Sequence, residues 1–260
     1  MAKAAIRAIT FDLWDTVLVD GSDEPKRASQ GLASKQVERC NLVQKFLERH
    51  EPISRELVEL AYATTNAAFA QVWYSQNVTW TVRERLSVLL KGLGRDLPEP
   101  EFNELVRLHE EMELSARPDL APGVAQALAT LQKRYQMGVV SDVIFSPGRT
   151  LRQLLAGYDI LKFFRAFAFS DEIGCAKPSA AMFEAAAADL GVKLNEIVHI
   201  GDRESKDIDG AHAVGARAIL CTAVKDRGSE NSKADAICSN FLDLPAILEK
   251  LDHQQTKVNQ

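Results

Sequence analysis

IVHIGDRESKDIDGAHAVG, residues 197–215, is the stretch that decides the fold. Ile197–Ile200 is a short, continuous apolar run, and Gly201-Asp202 closes it with turn chemistry, which reads as a buried strand. Asp207–Val214 follows as a short helical pattern and stops at Gly215, a residue suited to a helix C-cap. A strand, an acid-bearing loop and a helix in that order form one unit of a parallel sheet covered on both faces.

The same grammar recurs outward from this stretch. Apolar runs at Ala5–Phe11, Met137–Val140, Ala166–Phe169 and Ala218–Cys221, with a weaker one at Ala234–Ile237, predict further strands. Val124–Arg134 and the alanine-rich Ala180–Leu190 predict helices between them. From about Gly21 to Arg117 the pattern changes to uninterrupted helical periodicity. Leu57, Leu60, Ala61, Thr64, Ala68 and Val72 form one apolar stripe, Leu86, Leu89 and Leu90 a second, and Phe102, Leu105, Val106 and Leu108 a third. Gly21–Pro25 leads out of the core, and the proline-rich stretch 117–123 leads back. The predicted architecture is an α/β parallel-sheet core over 1–19 and 118–252, an inserted all-helical domain over 20–117, and a polar tail over 253–260 expected to fray.

Composition narrows the function classes. The 260 residues are 46% hydrophobic and 26% charged with a formal net charge of −5, which suits a soluble globular protein and argues against nucleic acid as partner. Cys40, Cys175, Cys221 and Cys238 form no CxxC pair, so reduced thiols are expected rather than zinc or a disulfide framework. The N-terminus lacks a signal peptide's apolar region and no run is long enough to span a bilayer, so a cytoplasmic setting without membrane contact is expected. Oligomeric state is not legible.

Ligands of an open α/β sheet bind outside the carboxyl ends of its strands. There the sequence places Asp12-Leu13-Trp14-Asp15-Thr16, Ser141-Asp142, Lys177-Pro178, and Gly201-Asp202 with Asp207. Taken singly each has a structural explanation. Asp12 and Asp202 suit turns, Ser141 a turn or cap, Asp207 a helix N-cap, and Lys177 a solvated surface. Taken together they bring carboxylates, a hydroxyl and an ammonium to one edge.

In this order FDLWDT, VVSD, GCAKP and IGDRESKD make the chain resemble the haloacid dehalogenase-like hydrolase superfamily over nearly its whole length. The resemblance implies a Rossmann-like core with a helical cap between the first two motifs. It implies Asp12 as nucleophile, forming an aspartyl intermediate that water hydrolyses. In the phosphatase branch Mg²⁺ is held by Asp12, the backbone carbonyl of Trp14, and Asp202, with Asp207 as a further or supporting ligand. Ser141 binds a phosphoryl oxygen, and Lys177 neutralises charge in the transition state and holds Asp12 as a carboxylate. Trp14, Asp15 and Asp142 complete the predicted substrate surface, and the substrate is a small, anionic molecule. Among the cations of the insertion, Lys26, Arg27, Arg55, Arg83, Arg85, Arg107 and Arg117 read first as solvated, with contact to that substrate as the alternative. His109 and His199 read as structural.

Trp14 departs from the phosphatase pattern, which has a second Asp at that position to protonate the leaving oxygen. Three readings stay open. The first is a phosphohydrolase with a better leaving group or a substitute acid such as Asp15. The second is a haloacid dehalogenase, whose relatives carry an aromatic residue there and release a halide that needs no proton. The third is a non-catalytic binding protein. Asp202 and Asp207 favour the first, because carboxylates crowded beside Asp12 require a cation.

Overall fold

The computed structural model describes residues 4–256 and divides into two compact units. One comprises the described residues up to Asp20, Asp119–Asp142, and those from Leu155 onward; the other comprises Gly21–Pro118 and Val143–Leu154.

The first unit is a six-stranded parallel sheet: β1 (Ala8–Phe11), β2 (Gln136–Ser141), β3 (Ala166–Phe169), β4 (Ile197–Gly201), β5 (Arg217–Cys221) and β6 (Ala236–Cys238), in the order β3-β2-β1-β4-β5-β6. All pairings are parallel, with Phe11 level with Val139 on one side and Ile200 on the other. Every β1, β4 and β5 residue is buried, which is why these runs carry no polar alternation. Ala180–Leu190 lays Met182, Phe183, Ala186, Ala187 and Leu190 against Val140, Ala166 and Ala168, where its small side chains let helix and sheet approach closely. The chain moves from β1 outward to β2 and β3, then returns to β4 on the other side of β1. The crevice at the carboxyl ends of β1 and β4 is therefore a topological switch point.

The second unit is helical. Its main helices are Lys35–Leu47, Arg55–Gln76, Val82–Gly92 and Glu99–Glu110. Ser34 and Ser54 cap the first two through the backbone N–H of Val37 and Leu57, and Thr81 with Glu84 forms a capping box on the third. Asn77, in the left-handed region at φ 54°, ends the longest. The core joins Val43, Phe46, Leu47, Val58, Leu86, Leu89, Leu90, Phe102, Leu105 and Val106.

One predicted stripe lies on the wrong face. On Arg55–Gln76 the buried residues are Val58, Tyr62, Thr65, Phe69 and Trp73, while Leu57 and Leu60 are 47% and 64% exposed. Two interleaved sets of residues share helical spacing here, and the larger aromatic set buries more area and takes the core. Two cations read as solvated are also buried. Arg27 Nε donates to Ala33 O at 3.0 Å, while Arg85 donates to Ile144 O and to Asn66 Oδ1 and stacks on Phe69 and Phe145. The four cysteines are free, and Cys40, Cys221 and Cys238 are buried. The last helix, Leu244–Thr256, continues through the start of the stretch expected to fray; residues 257–260 lie outside the described residues. No helix among the described residues is long and apolar enough to cross a membrane.

Candidate active site

β1 delivers Asp12 to the crevice, and its backbone N–H still bonds Ile200 O on β4 at 2.8 Å. The chain then turns tightly. The N–H groups of Thr16, Val17 and Leu18 all donate to Leu13 O, with Asp15 in the left-handed region at φ 53°. Trp14 is half-buried on this turn.

The lysine expected to be solvated if it were merely structural is 2% exposed. Lys177 Nζ lies 2.9 Å from Asp12 Oδ1 and 2.5 Å from Asp207 Oδ1. Burial alone lowers a lysine pKa, but the charges of Asp12, Asp207 and Asp142 outweigh it and raise this one above its ordinary value. The loop that presents Lys177 is fixed from both sides. Asp142 Oδ1 accepts from Lys177 N at 2.8 Å, and the buried Lys206 Nζ donates to Lys177 O at 2.5 Å. Burial pushes the Asp142 carboxyl up to about 6, with the Asp12 charge adding and Lys177 opposing.

Asp207 does not cap a helix. It lies inside a single π-helical turn, Glu204–Ile208, preceding the helix Asp209–Ala213. That turn points its carboxylate inward, fully buried, and both oxygens are engaged: Oδ1 by Lys177 and by His199 Nε2 at 3.0 Å, Oδ2 by Arg203 N at 2.9 Å. Burial alone would raise its pKa, yet Lys177 and His199 hold it well below the usual carboxylate range. His199 in turn lies 2.9 Å by Nδ1 from Thr10 Oγ1, and its ring meets Phe183 edge-on. Because a carboxylate only accepts, Nε2 carries the proton, and in the neutral ring Nδ1 accepts from the Thr10 hydroxyl. His199 is thus the buried support of Asp207. Gly201 is required by the same carboxylate, since a Cβ there would lie 2.2 Å from Asp207 Cγ.

Asp202 is 1% exposed at its side chain. Its Oδ2 accepts from Arg227 Nε at 2.5 Å, and its Oδ1 is buried without a hydrogen-bond partner. Burial, followed by the charges of Asp12 and Asp207, pushes its pKa up to about 7, against the pull of Arg227. Arg227 also reaches Asp15, with Nη2 2.6 Å from Oδ2, while Asp15 Oδ1 accepts from Asp20 N at 3.1 Å.

Asp12, Asp202 and Asp207 each bring one carboxylate oxygen into a group spanning no more than 4.8 Å. Such a group suits a hard divalent cation with oxygen ligands. Two features fit that ion together with an oxyanion. Asp202 offers a buried oxygen without a hydrogen bond, 4.0 Å from Arg203 Nε, and the hydroxyls of Ser141 and Thr16 are likewise buried without hydrogen-bond partners. A buried polar atom left unpaired costs about 1–3 kcal/mol, which a bound ligand can offset. Lys177, Asp207, Asp202 and Asp12 form one cluster, as the motif order predicts, and Asp142 stands behind the Lys177 loop. His199, Lys206 and Arg227 belong to the same network and were not selected from the sequence. Only the place of His199, two residues before Gly201 in a strand, offered a signal.

Comparison with known proteins gives the family and the fold. The family model described as haloacid dehalogenase-like hydrolase matches residues 6–215. A glyceraldehyde 3-phosphate phosphatase of Methanopyrus kandleri is 32% identical over 62% of this chain and 68% of its own. A phosphoglycolate phosphatase of Photorhabdus laumondii is 28% identical over 92% of this chain and 91% of its own. Among solved structures, a phosphatase of Thermococcus onnurineus superposes with TM-score 0.63 at 23% identity, covering 94% of this chain and 98% of that one. A 2-haloacid dehalogenase of Pseudomonas syringae gives TM-score 0.61 at 20% identity, covering 95% and 99%. The backbone is thus equally close to both chemistries, and the side chains of the site must separate them.

Proposed function

Because the chain belongs to the haloacid dehalogenase-like hydrolases, we propose that it is a Mg²⁺-dependent phosphohydrolase acting on a small phosphorylated metabolite through an aspartyl-phosphate on Asp12. The observation that carries this reading is the acidic trio at the switch point, with one Asp202 oxygen buried without a hydrogen bond. Lys177 serves both Asp12 and Asp207, and Arg227 is shared between Asp202 and Asp15 with Arg203 at 4.0 Å, so carboxylates this close still favour a further positive charge. Asp12 and Asp202 would hold the ion by carboxylate oxygens and Trp14 by its backbone carbonyl, with Asp207 behind them. Bound there, Mg²⁺ supplies positive charge that screens an anionic nucleophile from an anionic phosphate.

The chain's own residues do the rest. An Asp12 oxygen attacks phosphorus as the bond to the leaving oxygen breaks. The Ser141 hydroxyl, unpartnered in the protein, donates to a phosphoryl oxygen. Lys177, held to Asp12 and Asp207, balances the charge that moves onto the phosphoryl group. Water then attacks phosphorus, releasing phosphate and restoring Asp12. Trp14 donates no proton to the leaving group, and Asp15 is bound up by Arg227 and Asp20 N, so leaving groups that depart unprotonated are favoured. The relatives named as phosphatases support a small phosphorylated metabolite as substrate.

The second reading, a dehalogenase-type hydrolase, rests on Trp14 alone. The deciding experiment sets aryl-phosphate hydrolysis, with and without Mg²⁺, beside halide release from 2-haloacids, using wild type and Asp12→Asn. Mg²⁺-dependent phosphate release abolished by Asp12→Asn is expected. Metal-independent halide release without phosphate release overturns the proposal.

A further inference from the structure

Arg227 sits in the loop after β5, and the sequence around it, KDRGSEN at 225–231, is uniformly polar. Yet the residue is not loose. Asp226 folds the loop by accepting from the N–H groups of Gly228 and Ser229 at 3.0 and 2.8 Å and from the Ser229 hydroxyl at 2.7 Å, and Gly228 turns it at φ 103°. Arg227 is thereby directed at two carboxylates on different loops. Nε takes Asp202 Oδ2, Nη2 takes Asp15 Oδ2, and the side chain is 27% exposed.

We infer that Arg227 is a positioning residue of the cation site. This rests on the reading of Asp12, Asp202 and Asp207 as holding a divalent cation. A carboxylate with one oxygen held by a hydrogen bond and the other not hydrogen-bonded is restricted in how it offers that second oxygen. Arg227 fixes Oδ2 of Asp202 and leaves Oδ1 buried without a hydrogen bond, its nearest cation being Arg203 Nε at 4.0 Å. Its second contact ties Asp202, after β4, to Asp15, after β1, and so sets the spacing of the two loops that carry the acids. The planar fork matters here, because an ammonium is a point charge and cannot present donors to both carboxylates in one fixed geometry. Partners standing behind metal ligands in this way typically contribute roughly 10–100-fold to metal affinity.

The opposite effect has a clear signature. If Arg227 acted only as a competing positive charge, removing it would strengthen Mg²⁺ binding by lifting a repulsion. Its partial exposure screens that repulsion, so the orienting effect is expected to win. Mg²⁺ is titrated calorimetrically into wild type, Arg227→Gln, Arg227→Lys and Asp202→Ala, with metal-free melts run on each. Arg227→Gln is expected to weaken Mg²⁺ binding by roughly 10-fold or more, and Arg227→Lys to recover only part of the loss. Unchanged or tighter binding by Arg227→Gln overturns the assignment. Should that variant fail to fold, Arg227→Lys, which keeps the charge, decides by the same criterion. Asp202→Ala separates the two levels of the argument. If it leaves Mg²⁺ binding intact, the cation site itself is wrong; if it abolishes binding while both Arg227 variants do not weaken it, only the role of Arg227 is wrong.

Discussion

Replacing Gly201 by Ala tests how tightly the acidic network is built. A Cβ at this position would lie 2.2 Å from Asp207 Cγ and 2.6 Å from both its Cβ and Oδ1. Carbon atoms rest at about 3.5–4.0 Å, so Asp207 or the β4 backbone must retreat by more than about 1.3 Å. The backbone has little freedom, because Gly201 ends a strand and stands level with Leu220 of β5. The movement therefore falls on Asp207, whose contacts to Lys177, His199 and Arg203 N span 2.5–3.0 Å and cannot survive such a shift. Overpacking costs about 1–3 kcal/mol, and breaking a buried ion pair about 3–5 kcal/mol. A loss of about 3 kcal/mol is the lower expectation, which at about 2–4 °C per kcal/mol lowers the melting temperature by about 6–12 °C. Calorimetric melts of the metal-free protein measure it. In an Asp207→Gly background, which removes all three of these atoms, the steric part should vanish, so the two substitutions must be strongly non-additive. A melt within about 2 °C of wild type, or additive effects in the double variant, refutes the reasoning.

Other tests reach the rest of the molecule. His109 donates from Nδ1 to Leu105 O at 2.8 Å; burial pushes its pKa down from 6.5 to about 4, against the backbone hydrogen bonds of Leu105 and Arg39. A folded pKa below the unfolded one means the stability is present above pH 6.5 and lost as pH falls through about 4, by up to about 3 kcal/mol. His109→Phe should flatten that acid limb in urea titrations at pH 7 and pH 4.5; an unchanged difference between the two excludes His109 as its cause. Excess Mg²⁺ at 100 times its Kd should add about 2.7 kcal/mol to stability, and Asp202→Ala should remove that response in thermal melts. Aryl phosphates should outpace alkyl phosphates, and Trp14→Asp should narrow the gap by at most about 10²–10⁴-fold. If Asp15→Asn slows alkyl phosphates selectively in stopped assays, Asp15 supplies the proton after all.

The sequence by itself determined the sheet and the acids at its edge. Continuous apolar runs ending at Asp12, Ser141 and Gly201-Asp202 have one favourable burial, between two helical layers, and every strand ends with its chemistry on the same side. Local pattern was enough there because the information lies within a few residues of each strand. Tertiary structure decided what depends on distant partners. Arg227 looks like any cation in a polar loop until the fold brings it to Asp202 and Asp15, which are 25 and 212 positions away. His199 looks like a buried strand residue until its ring is seen to support Asp207. Periodicity pointed to a stripe through Leu57 and Leu60 on the helix Arg55–Gln76, and only packing selected Val58, Tyr62 and Phe69 instead. The helix signal before Gly215 concealed a π-helical turn that points Asp207 inward. Spacing fixes which residues share a local element, but the burial of a charge is settled by the charges that fold against it, and those come from elsewhere in the chain.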